Sequence, residues 1–280
     1  LMGITHVVRG NEYLASSPKY NLLYEAFGWE IPKYIHVEHI MKDKHNKLSK
    51  RNGDASFEDL IAKGYLSEAV INYIALLGWA PKGEREIFSL SELVEEFDIS
   101  GLSKSPAIFD PLKLKAINAE YIRMMTPEKF LEHAGPYIRQ SVHRTDVDLS
   151  KIAALLQNRT EVFTDIPDQV DFIDSMPDYD LSLYENKKMK TNRDTSLEVL
   201  KKALPALEGL TEWNMDGLHE CLFGLVAEMG VKNGYVLWPV RVAISGKQFT
   251  PGGALEIADI IGREDTLSRM RLSIDKLSKG

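Results

Sequence analysis

At 280 residues, 44% of them hydrophobic and 27% charged, the chain is long enough to bury a substantial core and to form roughly two domains. A single cysteine, Cys221, excludes an intramolecular disulfide, and no Cys/His pairing stands at zinc-finger spacing, so no zinc or other metal site is readable. No run approaches about 18 consecutive apolar residues, so no membrane span is expected and the cytoplasm is the expected compartment. The net charge of −7 argues against non-specific binding of nucleic acid only until local clusters of cations are considered.

The opening residues, LMGITHVVRG, run from Leu1 straight into an apolar strand at Ile4 to Val8, which is the expectation for an internal fragment, because chain ends are normally loose and exposed. In SSPKYNLLYEAFGW, Ser17 is the expected N-cap with Pro18 at the first helical position. Tyr20, Leu23, Tyr24 and Phe27 form one apolar stripe, and Gly28 ends the helix. YIHVEHIM, 34–41, alternates as a strand does. Strand, helix, strand is a βαβ unit, whose ligands gather at the carboxyl ends of its strands. Just beyond the second strand comes KDKHNKLSKRNGD, with five cations (Lys42, Lys44, Lys47, Lys50, Arg51) against Asp43 and Asp54. A Lys-x-Ser-Lys string arises by chance in about one chain in ten of this length, and taken alone it reads as a solvated turn of lysines. Its place after a βαβ unit, where a phosphate-binding loop belongs, separates the two readings.

From about residue 56 the period is helical. Ser56 and Ser67 read as N-caps, Leu66, Ala69, Val70, Tyr73, Ile74 and Leu77 follow helical spacing, and Ser89 with Glu92 makes a capping box. Asp110 before Pro111 and Thr126 before Pro127 open further helices. From 127 onward no segment alternates, so the remainder reads as all-helical, with an internal boundary within 174–193. Cys221 is expected in a core. Six aspartates between 165 and 180 read as a solvated acidic face, and ENKKMKTNR (185–193) as a basic surface patch with phosphate contact as its alternative.

Five motifs then stand in order: THVVRG (5–10), PKYNLLYEAFGW (18–29), KLSKR (47–51), GYLSEAVINYIALLGW (64–79) and SKSPAIFDPLKL (103–114), followed by GVKNGYVLWPVRVAISGKQFTPGGALEIADIIGRE at 230–264. Together they resemble the bacterial-type class I glutamyl-tRNA synthetases, KLSKR being that family's version of the KMSKS loop. The resemblance implies a mainly α fold. It comprises a remnant of a Rossmann α/β domain (1–41), a mixed α/β stem-contact region carrying KLSKR (42–126), and an all-helical anticodon-binding domain of two helical subdomains (127–183 and 184–280). It also implies a monomer that joins L-glutamate to glutamate tRNA, with glutamine tRNA left open, using ATP with Mg. The family's His-x-Gly-His signature does not occur in these residues, so a carboxy-terminal fragment, inactive alone, is expected. A separate tRNA-binding module or regulatory paralogue is the alternative. A glutaminyl synthetase is disfavoured by the helical tail, and a glutamyl-queuosine enzyme by the presence of the anticodon module.

By the same resemblance Lys47 and Lys50 are the catalytic cations that follow the separating phosphates of ATP. Ser49 offers them a hydroxyl contact and Tyr13 stands beside ATP. Lys42 and Lys44 are left for tRNA backbone. Arg51 takes the place of the general motif's final Ser, as is common in this family. Arg9, at a strand end, pairs with a carboxylate of glutamate, a task suited to a planar guanidinium, with the tying of a loop as its structural alternative. His6 is read as structural. Arg241, in WPVRVAISG, and Arg159, in LLQNRTEVF, are the anticodon-contacting candidates, with Tyr235 an aromatic neighbour and Trp238 a core residue.

Overall fold

Two strands near the amino terminus, β1 (His6–Gly10) and β2 (Lys33–Val37), pair in parallel with Arg9 opposite His36 in the computed structural model, which describes residues 2–48 and 56–279. A parallel pair needs a crossover. Here it is a single 3-10 helix, Asn11–Ser16, running into α1 (Ser17–Ala26), so the βαβ unit is present. Three local details differ from expectation. β1 begins at His6 rather than Ile4. Ser17 is the first residue of α1 instead of its cap, because the 3-10 helix makes Ser16 the N-cap and turns the Ser17 hydroxyl to donate to the Tyr13 carbonyl at 3.2 Å. The expected strand 34–41 breaks at Glu38 and His39: β2 stops at Val37, and β3 (Ile40–Met41) pairs in parallel with β4 (Ala107–Ile108) in a second sheet. Gly28 ends α1 as read, at φ +65°. The stripe of that helix is not buried, however, for Tyr20, Leu23 and Phe27 are exposed.

Among the described residues of this part of the chain, four further α-helices follow: α2 (Phe57–Ala62), α3 (Ser67–Gly78), α4 (Leu90–Glu96) and α5 (Pro111–Arg123). Three expected caps form. Ser56 accepts from the Asp59 amide, Ser89 and Glu92 make both bonds of a capping box, and Asp110 accepts from the amides of Leu112 and Lys113. Ser67 instead begins α3 after Leu66, whose amide is taken by the buried side chain of Asn118 at 2.8 Å. Val70, Tyr73, Phe88, Leu114, Ile117 and Ile122 form the core, while Ile74, expected in the same stripe, stays exposed. Buried Asn72 accepts from the Phe88 amide at 2.6 Å and donates to the Glu86 carbonyl at 2.8 Å, satisfying a loop that no helix serves. These residues belong to one compact unit, Leu1–Met124.

The second unit, Met125–Gly280, contains α6 (Pro127–Ser141), α7 (Leu149–Leu156), α8 (Ile166–Val170), α9 (Arg193–Glu208), α10 (Met215–Met229), α11 (Asn233–Ser245) and α12 (Ala254–Lys279). Thr126 caps α6 through the Lys129 amide, as expected. Gly262, at φ +83°, interrupts α12. Phe130, Ile138, Leu156, Val199, Leu222, Val240, Ile244 and Met270 are buried, and Cys221 is half-buried, with burial raising its thiol pKa. Arg269 is buried too. It donates to the carbonyls of Phe172, Ile173 and Ile244 at 2.8 to 2.9 Å, binding α12 to α11 and to the turn after α8. The aspartate run lies at the surface as expected, with Asp174 alone partly buried. Asp174 accepts from the His143 amide at 2.7 Å, Asp171 pairs with Lys247 at 2.5 Å, and Asp178 pairs with Lys276 at 2.7 Å. Among the described residues no helix is long and apolar enough to cross a membrane.

Candidate functional site

Arg9 is held by every element around it. Its guanidinium lies over the rings of Tyr34 (4.9 Å), Tyr13 (5.4 Å) and Tyr20 (5.4 Å), contributed by β2, the 3-10 helix and α1. Nη2 donates to Ser17 Oγ at 2.8 Å, and Nε donates to His36 Nε2 at 3.3 Å, which requires the neutral ring with its proton on Nδ1. Nη1 has no hydrogen-bond partner among the described residues. The arrangement orients a permanent cation and leaves one edge of its fork for an anion, the geometry that a carboxylate takes best. Sequence reasoning found Arg9 and Tyr13 but missed Ser17, Tyr20, Tyr34 and His36. For Tyr34 and His36 a signal existed: two residues apart on one strand, they share a face, and parallel register sets His36 opposite Arg9.

The chain leaves β2 through Glu38, which accepts from Asn11 Nδ2 at 2.7 Å, and enters β3 and a tight turn at 42–46. The turn is closed by the Lys42 amide on the Asn46 carbonyl (2.8 Å) and by the Leu48 amide on the Ile40 carbonyl (3.0 Å). Inside it Asp43 accepts from the Asn46 side chain and from the His45 and Asn46 amides, which together lower its pKa below the usual carboxylate value. The one acid of the turn is therefore committed to backbone, and Lys42, Lys44 and Lys47 stand exposed with no ion-pair partner among the described residues. Ser49 and Lys50 lie outside the described residues.

In the second unit Arg241 projects from α11, stacks over Trp238 at 4.4 Å, and donates from Nη1 to Thr250 Oγ1 (2.8 Å) and from Nη2 to the Gln248 carbonyl (2.7 Å). Burial lowers its pKa. Two of its donors thus clamp the loop that follows the helix, and between the clamped residues Phe249 is 80% exposed. Trp238 is itself anchored, through Nε1 on the Leu183 carbonyl at 2.9 Å. Arg159, just past α7, is exposed and has no side-chain partner among the described residues. Tyr235, at the start of α11, lines a groove with Lys188, Lys190 and Lys232.

A parallel βαβ remnant whose strand ends carry an oriented arginine and a lysine turn, in one chain with an all-helical unit, defines the architecture of a class I aminoacyl-tRNA synthetase. Residues 1–116 match the catalytic-domain model of the class I tRNA synthetases for E and Q, and residues 129–274 match the anticodon binding domain model. The chain is 56% identical over 279 residues to the glutamate-tRNA ligase of Clostridium acetobutylicum and 59% identical over 277 residues to that of Clostridium tetani. These matches cover 100% and 99% of this chain but 58% and 57% of the relatives, so the chain spans less than three fifths of their length. A crystal structure of a glutamate tRNA ligase from Elizabethkingia meningosepticum in complex with its amino acid superposes with a TM-score of 0.85 at 30% identity, over 99% of this chain and 58% of that one. The chain belongs to the bacterial glutamyl-tRNA synthetase family.

Proposed function

We propose that this chain is the part of a glutamate-tRNA ligase that carries the KMSKS-type loop and the anticodon-binding module. The observation that carries the proposal is the single chain's match to both models, catalytic and anticodon-binding, together with its identity to named glutamate-tRNA ligases. In the reaction proposed, a glutamate carboxylate oxygen attacks the α-phosphorus of ATP and pyrophosphate leaves; a ribose hydroxyl of the tRNA's terminal adenosine then attacks the carbonyl of the glutamyl-adenylate, its proton is lost, and AMP leaves. Arg9 pairs with a carboxylate of glutamate through the fork edge that Ser17 and His36 leave open, with Tyr13 beside the nucleotide. Lys47, Ser49 and Lys50 contact the phosphates, and the two lysines meet the charge that develops on pyrophosphate. Support for the role of Lys47 comes from its exposure and from the commitment of Asp43 to its own turn, which removes a competing anion. Mg enters with ATP as the counter-ion of its phosphates, the usual manner for that ion.

Arg241 and Arg159 are proposed to contact the anticodon. Two observations pull in different directions: Arg159 is free to reach RNA, whereas Arg241 already spends two donors on Gln248 and Thr250. Arg241 therefore acts through the loop it holds as well as through its remaining donors. The expected compartment is the cytoplasm, the domain division is 1–41, 42–126, 127–183 and 184–280, and the protein works as a monomer. Two assays test the proposal with the 280-residue chain. Lacking the His-x-Gly-His sequence, it shows no glutamate-dependent ATP-pyrophosphate exchange; it binds glutamate tRNA, more weakly as salt rises. Exchange activity in the purified chain overturns the division of labour, and no binding to tRNA at low salt overturns the anticodon reading.

A further inference from the structure

The basic groove at the start of α11 has no part in the roles given to Arg241 and Arg159. Its volume is about 830 Å³, and it is lined by Lys188, Lys190, Lys232, Tyr235 and the first turn of α11, with no carboxylate in its lining. That volume suits a nucleotide-sized group rather than a lone ion. The three lysines are exposed and have no ion-pair partner among the described residues.

Two of these cations are mounted on a rigid turn. Asn186 and Thr191 exchange both backbone hydrogen bonds, at 3.0 and 3.1 Å, and the Asn186 side chain accepts from the amides of Lys188 and Met189 at 3.0 and 3.1 Å. Lys190 sits at φ +59°, the one non-glycine residue at positive φ among those described, a conformation that costs a lysine energy and that the turn enforces. Met189 packs so closely on Gly234 that a Cβ there would lie 2.2 Å from its sulfur, fixing the turn against the helix start. The N-cap Lys232 provides no side-chain cap, and the amides of Asn233 and Gly234 have no partner among the described residues. Donors, cations and an aromatic ring thus face one groove.

We propose that this groove binds the phosphodiester backbone of RNA, as a second contact on the same unit. The assignment rests on the reading of that unit as a tRNA binder, but not on Arg241. Tyr235 and Arg241 are six residues apart on α11, about 9 Å along its axis. A backbone contact is sequence-independent and appears in the salt dependence of binding, each neutralised phosphate adding close to one unit of slope.

The test compares two triple variants of the full chain, equal in net charge. The groove variant carries Lys188→Gln, Lys190→Gly and Lys232→Gln; glycine at 190 accepts the left-handed backbone, so the turn survives loss of the charge. The control carries Lys129→Gln, Lys201→Gln and Lys279→Gln, all exposed and unpaired among the described residues. The groove variant is expected to bind tRNA about 10- to 100-fold more weakly at low salt, with a slope shallower by about two units, for cognate and altered anticodons alike. The control keeps the wild-type slope. Equal losses in the two variants, or no loss in the groove variant, overturn the proposal. If the wild-type chain binds no tRNA, the broader reading fails and NMR titration decides the groove. Amide shifts at Lys190, Asn233 and Gly234 with a five-nucleotide RNA but not with inorganic phosphate sustain it. Equal shifts with both assign a free-phosphate site and overturn it, and no shifts overturn it also.

Discussion

Between Met2 and Leu48 only Pro32 is buried, whereas the helical unit from Met125 onward has buried residues in every one of its helices. Burial of a large apolar side chain contributes about 1.5–3 kcal/mol, so the stabilising term that dominates the second region is nearly missing from the first. What orders residues 2–48 is mostly polar and local: a short parallel ladder, the Arg9 network, and a turn closed by Asp43. Arg9 therefore stands on a thinly packed part of this chain, while Arg241, Trp238 and the 248–250 loop grow out of a packed core. Changing a residue is therefore expected to cost the fold less in the first of these regions than in the second.

A pair of arginines breaks or sharpens that comparison most strongly. Arg269→Met leaves the carbonyls of Phe172, Ile173 and Ile244 buried without their donors, at a cost of about 3–5 kcal/mol. Arg9→Met gives up partly exposed contacts to three rings, at a cost of about 0.5–1.5 kcal/mol, although it removes the proposed grip on glutamate. Urea unfolding followed through the tryptophans, Trp29 and Trp79 for the first unit and Trp213 and Trp238 for the second, measures both. Similar losses for the two variants would mean that residues 2–48 are stabilised as deeply as the helical unit.

Two glycines in one conformation give the next contrast. Gly28 and Gly246 share φ +65° and each ends a helix, so an added methyl group meets the same backbone strain of about 1–2 kcal/mol. At Gly28 nothing lies within 4 Å of the new atom. At Gly246 it meets Tyr179 Cδ1 at 3.0 Å and the Pro177 carbonyl at 3.1 Å. Tyr179 cannot easily yield, because its hydroxyl is bonded to Tyr184 and Ser273 inside the core. Gly246→Ala should cost about 2–4 kcal/mol and Gly28→Ala about 1–2, read from the same unfolding curves.

Features written in a few adjacent residues were legible. The caps Ser56, Ser89 with Glu92, Asp110 and Thr126 form because a short polar side chain reaches its own helix start, which needs nothing from the rest of the molecule. Misreadings came where a distant partner intervenes. YIHVEHIM alternates without a break, yet its second half pairs with Ala107 and Ile108, more than sixty residues on, and so leaves the first sheet. Asp174 looks solvated until the His143 amide and ring arrive from the loop after α6. The motifs singled out Arg9 and Arg241, but not the groups that hold their side chains. Ser17 was spent on a cap, and Gln248 and Thr250 follow a left-handed glycine that turns the chain back on Arg241.

The smallest effect concerns acid. In the first unit Glu92 accepts from Arg85 and from the Ser89 amide, which lower its pKa to about 2; in the second, Asp146 is brought to about 2 chiefly by its bonds to Arg144. Both folded values lie below those of the unfolded chain, about 4.3 for Glu and 3.9 for Asp, so the unfolded state binds more protons across that window. Each pair thus adds stability that is fully present above about pH 4 to 5 and is lost as pH falls toward 2. Glu92→Gln removes this dependence from the first unit, and Asp146→Asn from the second. Each variant should be less stable than wild type at pH 7, equal to it near pH 2, and flatter between, with the change confined to the transition of its own unit. Both carboxylates are exposed, so the shifts should be small beside those of Arg269 and Gly246. If Glu92→Gln also flattened the transition reported by Trp213 and Trp238, the two units would unfold together. The contrast between a thinly packed site and a densely packed one would then describe their structures but not their stabilities.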